Sequence, residues 1–338
     1  MSQYGLIFGL SFVSALLLTP LAIRLSHRWG LLAAPGGRRK HQGLIPKFGG
    51  LPVVGGFLIG AAAAFLIFRP EGQDATRLVG VLVGTAAIFI GGALDDRFDL
   101  PWSIQLLIQF TGSIIAMGSI VFIEVFTNPL TGQEVWLPRA VALIFTAFWI
   151  VGMMTTVNWT DGLDGLAVGI GTIAALLFAW HSYNLGQLAV AAFPVALAGA
   201  LLGFLPFNFA PARIFLGAAG AYGLGYGLAT LSILAPAKIA TALLVMAVPI
   251  LDVAWQIFDR VRRGQSPFHG DRGHLHFRLS DGGLPTPQIV LGYYLVVLSF
   301  GLVAIFAPGI IKLIMLLALS ILVLLILAWL SRRSRRLS

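Results

Sequence analysis

Cysteine is absent from the 338 residues, which excludes a disulfide framework and any thiolate metal site. Charge is scarce as well: only 10% of residues are Asp, Glu, Lys or Arg, against 58% hydrophobic. The mean hydropathy of +0.92 is outside the range of soluble domains. Long polar stretches are missing, so no soluble domain is expected beside the apolar part. Period-2 alternation is missing too, which argues against a spanning β-barrel and leaves helices, the element that satisfies its own backbone in hydrocarbon.

What the chain does have is a series of long apolar runs. At about 20 residues per crossing, eleven spans are expected, centred near residues 14, 58, 86, 112, 147, 171, 196, 223, 247, 297 and 320. The expected fold is an all-α polytopic integral membrane protein, one transmembrane unit over 1–338 with a basic tail at 331–338. The first run is followed by positive residues and lacks a small-residue cleavage pattern, so it reads as a retained helix.

With the N-terminus outside and the C-terminus cytoplasmic, seventeen of the 22 basic residues fall on the cytoplasmic side, as the positive-inside rule requires. The net charge of +9 is then mostly a topology signal, and nucleic-acid binding is unnecessary to explain it.

Nine of the thirteen acidic residues also fall on or near that face, and all nine are aspartates. The stretch GGALDDRFDLP holds Asp95, Asp96 and Asp99 at a helix C-terminus, where carboxylates oppose the helix dipole. It reads either as a polar end cap or as a base or cation site for a phosphate substrate. NWTDGLDGLAVG sets Asn158, Asp161 and Asp164 three residues apart. Those residues are either a helix cap or a ligand-facing turn in which Gly162 and Gly165 permit close approach.

The longest polar loop, Asp259 to Gln288, holds Arg272, His274, His276 and Arg278. Topology alone accounts for the arginines. The histidines could be phosphate ligands, proton carriers or metal ligands. In GGRRKHQGLIPKFGG, Lys40, His41 and Lys47 are site candidates among turn residues, while Arg38 and Arg39 fit a surface that meets anionic membrane lipid equally well. Aspartates, basic loops and glycines on one face point to phosphoryl transfer between a nucleotide-type donor and a lipid in the bilayer.

The motifs RKHQGLIPKFGG, DDRFDLP, NWTDGLDGLAVG, FLPFNFAPARIFLG and DRGHLHFRL, in that order, resemble those of the bacterial polyprenyl-phosphate N-acetylhexosamine-1-phosphate transferases. HLHFRL and PKFGG look more like the branch using UDP-GlcNAc and undecaprenyl phosphate than the muramyl-pentapeptide branch. The resemblance implies transfer of GlcNAc-1-phosphate from UDP-GlcNAc to the lipid phosphate with release of UMP. It also implies the bacterial inner membrane, a cytoplasmic-face site and a possible homodimer.

Carried over by resemblance, Asp95 and Asp96 would position or deprotonate the lipid phosphate. Asn158, Asp161 and Asp164 would bind nucleotide-sugar and magnesium (or manganese), Asn208 and Phe215 the uridine, and His274, His276 and Arg278 the diphosphate or sugar. Lys40, His41, Lys47 and Arg272 complete the expected substrate-binding set.

The chain departs from the family pattern at two places. Phe277 stands where the family's histidine run continues. Ala218, in IFLGAAGAYGLG, stands where the family carries an aspartate that binds magnesium, so cation binding should be weakened and the chain inactive or impaired. An intramembrane prenyltransferase and a transporter are the rival classes. The basic, histidine-bearing loop argues against the first, and the gathering of aspartates at helix ends on one side argues against the second, with Glu124 and Asp252 as the nearest exceptions.

Overall fold

The computed structural model describes residues 2–35, 43–234, 238–267 and 272–337. Lys40 and His41 lie outside the described residues. The chain opens with α1 (Ser2–Trp29), a short antiparallel ribbon of β1 (Leu32–Ala33) and β2 (Ile45–Pro46), α2 (Gly50–Phe68), α3 (Gly72–Phe98) and α4 (Trp102–Gly118). A second ribbon, β3 (Val125–Thr127) and β4 (Glu134–Trp136), precedes α5 (Arg139–Thr160), α6 (Leu166–Asn184), α7 (Leu188–Asn208) and α8 (Gly217–Ile233). Next come α9 (Lys238–Val245), α10 (Ala247–Arg262), the short α11 (Leu275–Asp281), α12 (Thr286–Phe306) and α13 (Gly309–Leu337).

Each of the eleven expected span centres falls on helix or at the α9–α10 junction. Among the described residues, eight helices are long and apolar enough to cross a membrane, or nine if the pair around residue 246, bent by 73°, is one span. The two remaining centres lie on α4 and α8, each of 17 residues, a length of about 26 Å at 1.5 Å per residue. Helix α13 continues through the basic residues at the end of the chain to Leu337.

Packing follows residue size. Helix α8 is the centre of the bundle, with every residue from Ala219 to Ser232 buried, and α3 and α5 lie against it. Helices α1, α2, α6 and α7 pack beside them. Without a hydrophobic drive between helices in lipid, close packing of small residues supplies the contact. Gly92 is the telling case. A Cβ there would come within 2.5 Å of the Ala219 Cα, so only glycine lets α3 touch α8. Asp96, one turn later on the same face, is thereby delivered to the start of α8. The outer face carries exposed Leu107, Ile114, Ile144, Phe148, Leu295 and Leu325, as a lipid-facing surface requires.

Candidate active site

Five connections meet at one end of the bundle and enclose a cavity of about 640 Å³. Lys47 comes from the segment before α2, Asp95, Asp96 and Asp99 from the end of α3, and Asn158, Asp161 and Asp164 from the α5–α6 turn. The α7–α8 junction adds Asn208, Phe215 and Ala218, while α10 and the segment before α11 add Arg260, Arg272 and His274. Twelve of these thirteen positions, all but Arg260, were expected from the sequence, and they line one cavity. His276 and Arg278 are not part of it.

Hydrogen bonds between loops hold this arrangement. The Asn208 Nδ2 donates to the Ile214 carbonyl at 3.0 Å and its Oδ1 accepts from the Gly165 amide at 3.2 Å. Its buried amide is thus spent on two backbones and ties the α5–α6 turn to the α7–α8 junction. Asp164 Oδ2 accepts from the Ala212 amide at 2.9 Å across the same gap. Phe215 is fixed by its main chain, its N–H donating to the Pro46 carbonyl at 2.8 Å and its carbonyl accepting from Gly49 at 3.0 Å. Lys47 reaches Asp99 at 3.3 Å.

The paired aspartates have different surroundings. Asp95 Oδ1 accepts from the Leu100 amide at 3.0 Å and Gln105 Nε2 at 3.1 Å, and its Oδ2 accepts from the Tyr222 hydroxyl at 3.1 Å. Asp96 accepts from Ala218 N at 2.9 Å and Ala219 N at 3.0 Å, one oxygen each. These are among the first amides of α8, which have no partner within their own helix. A carboxylate badly placed for the dipole of α3 is therefore well placed for that of α8.

The basic side of the cavity rests on aromatic rings. The Arg260 guanidinium lies 5.0 Å from the Trp159 ring centre and donates to the Pro267 carbonyl at 2.7 Å. His274 meets the same Trp159 edge-on at 5.6 Å. Arg272 lies over Phe277 at 4.6 Å and pairs with Asp281 at 2.7 Å. Phe277 thus supports an arginine.

His276 lies behind His274, its ring nearly parallel at 5.5 Å, with Nε2 buried, unpartnered and packed under Gly162. Burial pushes its pKa down to about 3, so its ring is neutral at physiological pH. Arg278 is turned to α13, where it donates to Ser331 Oγ at 2.7 Å. Sequence reasoning missed Gln105, Trp159, Tyr222 and Gln256. Gln256 had a legible signal, because Asp252, Gln256, Asp259 and Arg260 recur at helical spacing in an apolar run. The other three had none.

Magnesium takes oxygen ligands, with one or two carboxylates and the rest water and phosphate. No group of three His, Asp or Glu side chains able to hold a metal is found among the described residues. All four oxygens of Asp95 and Asp96 already accept hydrogen bonds, and Ala218 offers only a methyl group. No step below passes through a metal.

A multi-pass helical bundle whose connections bring aspartates, arginines and a histidine to a cavity at its end defines the class, a membrane protein with a charged site. Residues 78–236 match glycosyl transferase family 4, and the chain belongs to that family. It is 31% identical over 304 residues, 88% of this chain and 83% of the relative, to a probable undecaprenyl-phosphate N-acetylglucosaminyl 1-phosphate transferase of Bacillus subtilis. It is 35% identical over 306 residues, 80% of this chain and 74% of the relative, to a decaprenyl-phosphate N-acetylglucosaminephosphotransferase of Mycobacterium tuberculosis. An undecaprenyl-phosphate alpha-N-acetylglucosaminyl 1-phosphate transferase of Escherichia coli is 29% identical over 300 residues, 84% of this chain and 77% of the relative.

Proposed function

We propose that the cavity binds UDP-GlcNAc and a polyprenyl phosphate, and that its chemistry is transfer of GlcNAc-1-phosphate to the lipid phosphate. A lipid phosphate oxygen attacks the phosphorus that carries the sugar, the bond to the bridging oxygen breaks, and UMP leaves with that oxygen. The relatives' names supply the substrates. The observation that carries the reading is the meeting of five connections on one cavity lined by both aspartates and basic side chains.

In this scheme Arg260 and Arg272, each held by an aromatic ring, meet the diphosphate, and His274 meets the sugar. Phe215 and Asn208 bound the uridine end, Asn208 by holding the turn. Lys47 meets the lipid phosphate, and Asp95, fixed by Tyr222 and Gln105, orients that phosphate or takes its proton. The five connections lie on the cytoplasmic side, with eleven crossings, the N-terminus out and the C-terminus in. Alternation supports this, because the loops that meet at the cavity are every second connection along the chain.

The chain as written transfers poorly or not at all. Ala218 supplies no carboxylate, and Asp96 is occupied by the amides of α8. The test is UMP release from UDP-GlcNAc by the purified protein with undecaprenyl phosphate, beside calorimetric binding of UDP-GlcNAc. Binding with weak turnover is expected. Failure of every UDP-sugar, UDP-GalNAc and UDP-MurNAc-pentapeptide included, to bind would overturn the reading.

A further inference from the structure

Helix α10 carries a polar stripe that faces inward. Asp252, Gln256, Asp259 and Arg260 are all buried, Asp252 with 4% of its surface exposed. A buried carboxylate on a helix of this kind is expensive unless its partners repay the lost hydration. Asp252 finds its hydrogen-bond partners beyond α10. Its Oδ2 lies 2.9 Å from His274 Nδ1, and its Oδ1 accepts from the Leu275 amide at 2.9 Å. Gln256 donates to the Gly273 carbonyl from the next turn. The stripe holds the start of α11, and with it the histidine that lines the cavity.

We propose that Asp252 is a positioning residue for His274, setting the nitrogen that this ring presents to the donor's sugar. A carboxylate accepts, so the Nδ1 of His274 carries the hydrogen. In the neutral ring Nε2 is then the nitrogen left for the cavity, an acceptor that suits an O–H or N–H of the sugar and not a phosphate oxygen. The ring is braced from two sides, by Trp159 edge-on and by the neutral His276 stacked behind it. Asp252 therefore sets the tautomer, while the aromatic neighbours set the plane. The assignment of the sugar rests on the function proposed above, and the tautomer does not.

Asp252→Asn tests this with little change of shape. The Asn oxygen still accepts from the Leu275 amide, but its NH2 donates toward His274 Nδ1 and drives the hydrogen to Nε2. Full-length protein in nanodiscs, labelled with 15N-histidine and assigned with His274→Gln, should show the His274 hydrogen on Nδ1 in the wild type and on Nε2 in Asp252→Asn. UDP-GlcNAc binding by calorimetry should weaken about tenfold in Asp252→Asn. In a His274→Gln background the same substitution should cost nothing more, because Asp252 acts through the ring.

Losses that add in the double variant would overturn the proposal and leave Asp252 as a cap for α11. An unchanged tautomer would overturn it as well. If the wild type binds no UDP-GlcNAc, the proposed function and the sugar assignment fail together, and the labelled spectra still decide whether Asp252 sets the ring.

Discussion

Replacing Asp96 with alanine removes both acceptors for the Ala218 and Ala219 amides. These bonds are 2.9 and 3.0 Å long, and Asp96 is only 6% exposed. A buried amide without a partner costs about 1–3 kcal/mol, so two cost about 2–6 kcal/mol. Losing a negative group at a partly buried helix N-terminus adds about 0.5–2 kcal/mol. The middle of the range is about 5 kcal/mol, for a residue that sequence alone casts as a catalytic acid or base. Asp96→Asn keeps one acceptor oxygen and should cost about half of that. Thermal unfolding in detergent, followed by tryptophan fluorescence, should rank wild type above Asp96→Asn above Asp96→Ala. The alanine variant should melt lower by on the order of 10 °C. If it melted within about 1 °C of wild type, the amides would be finding other partners and the clamp between α3 and α8 would be refuted.

Ala218→Asp should raise UMP release from UDP-GlcNAc at least about tenfold in the presence of magnesium, with the gain abolished by EDTA; no rise would sink the reading of Ala218. Tyr222→Phe removes the hydroxyl that donates to Asp95 at 3.1 Å and should cost about 1 kcal/mol of stability, measured by the same melting assay. Gly92→Leu forces α3 away from α8, where a Cβ already meets the Ala219 Cα at 2.5 Å; a loss of about 1–3 kcal/mol is expected, together with weaker UDP-GlcNAc binding. His276 is held neutral by burial, its pKa down to about 3. The unfolded chain takes up a proton below about pH 6.5 that the folded chain refuses, so stability falls as pH drops through that window. His276→Gln should flatten the acid side of the melting profile between about pH 6 and 4, and an unchanged slope would place the acid sensitivity elsewhere.

Much of the site was legible because its chemistry is carried by short polar motifs in an apolar chain. A polar residue stands out where hydrocarbon penalises it, so Asp95, Asp96, Asp161, Asp164 and His274 could be named before any coordinates. The roles were harder. Asn208 looks like a ligand for uridine from its motif, yet both ends of its amide hold backbone. His276 looks equivalent to His274 two positions earlier, yet one lines the cavity and the other is sealed beneath Gly162. Gln105 and Tyr222 gave no warning, because a glutamine or tyrosine inside a membrane helix has no pattern that says which carboxylate it will meet.

The sequence by itself determined that this is a helical membrane protein, where most of its helices lie, which connections carry its polar motifs and which family it belongs to. Hydropathy, helix length and motif order are properties of neighbouring residues, and they survive without a fold. Only the tertiary structure decided which oxygens and nitrogens are already spoken for. Tyr222 meets Asp95 across 127 positions, Asp96 caps α8 across 122, and Asp252 holds His274 across 22. Such pairings depend on how closely helices approach, which at Gly92 is decided by one missing methyl group. A hydrogen bond depends on that distance to within a few tenths of an ångström, so the partners could be known only once the helices were packed.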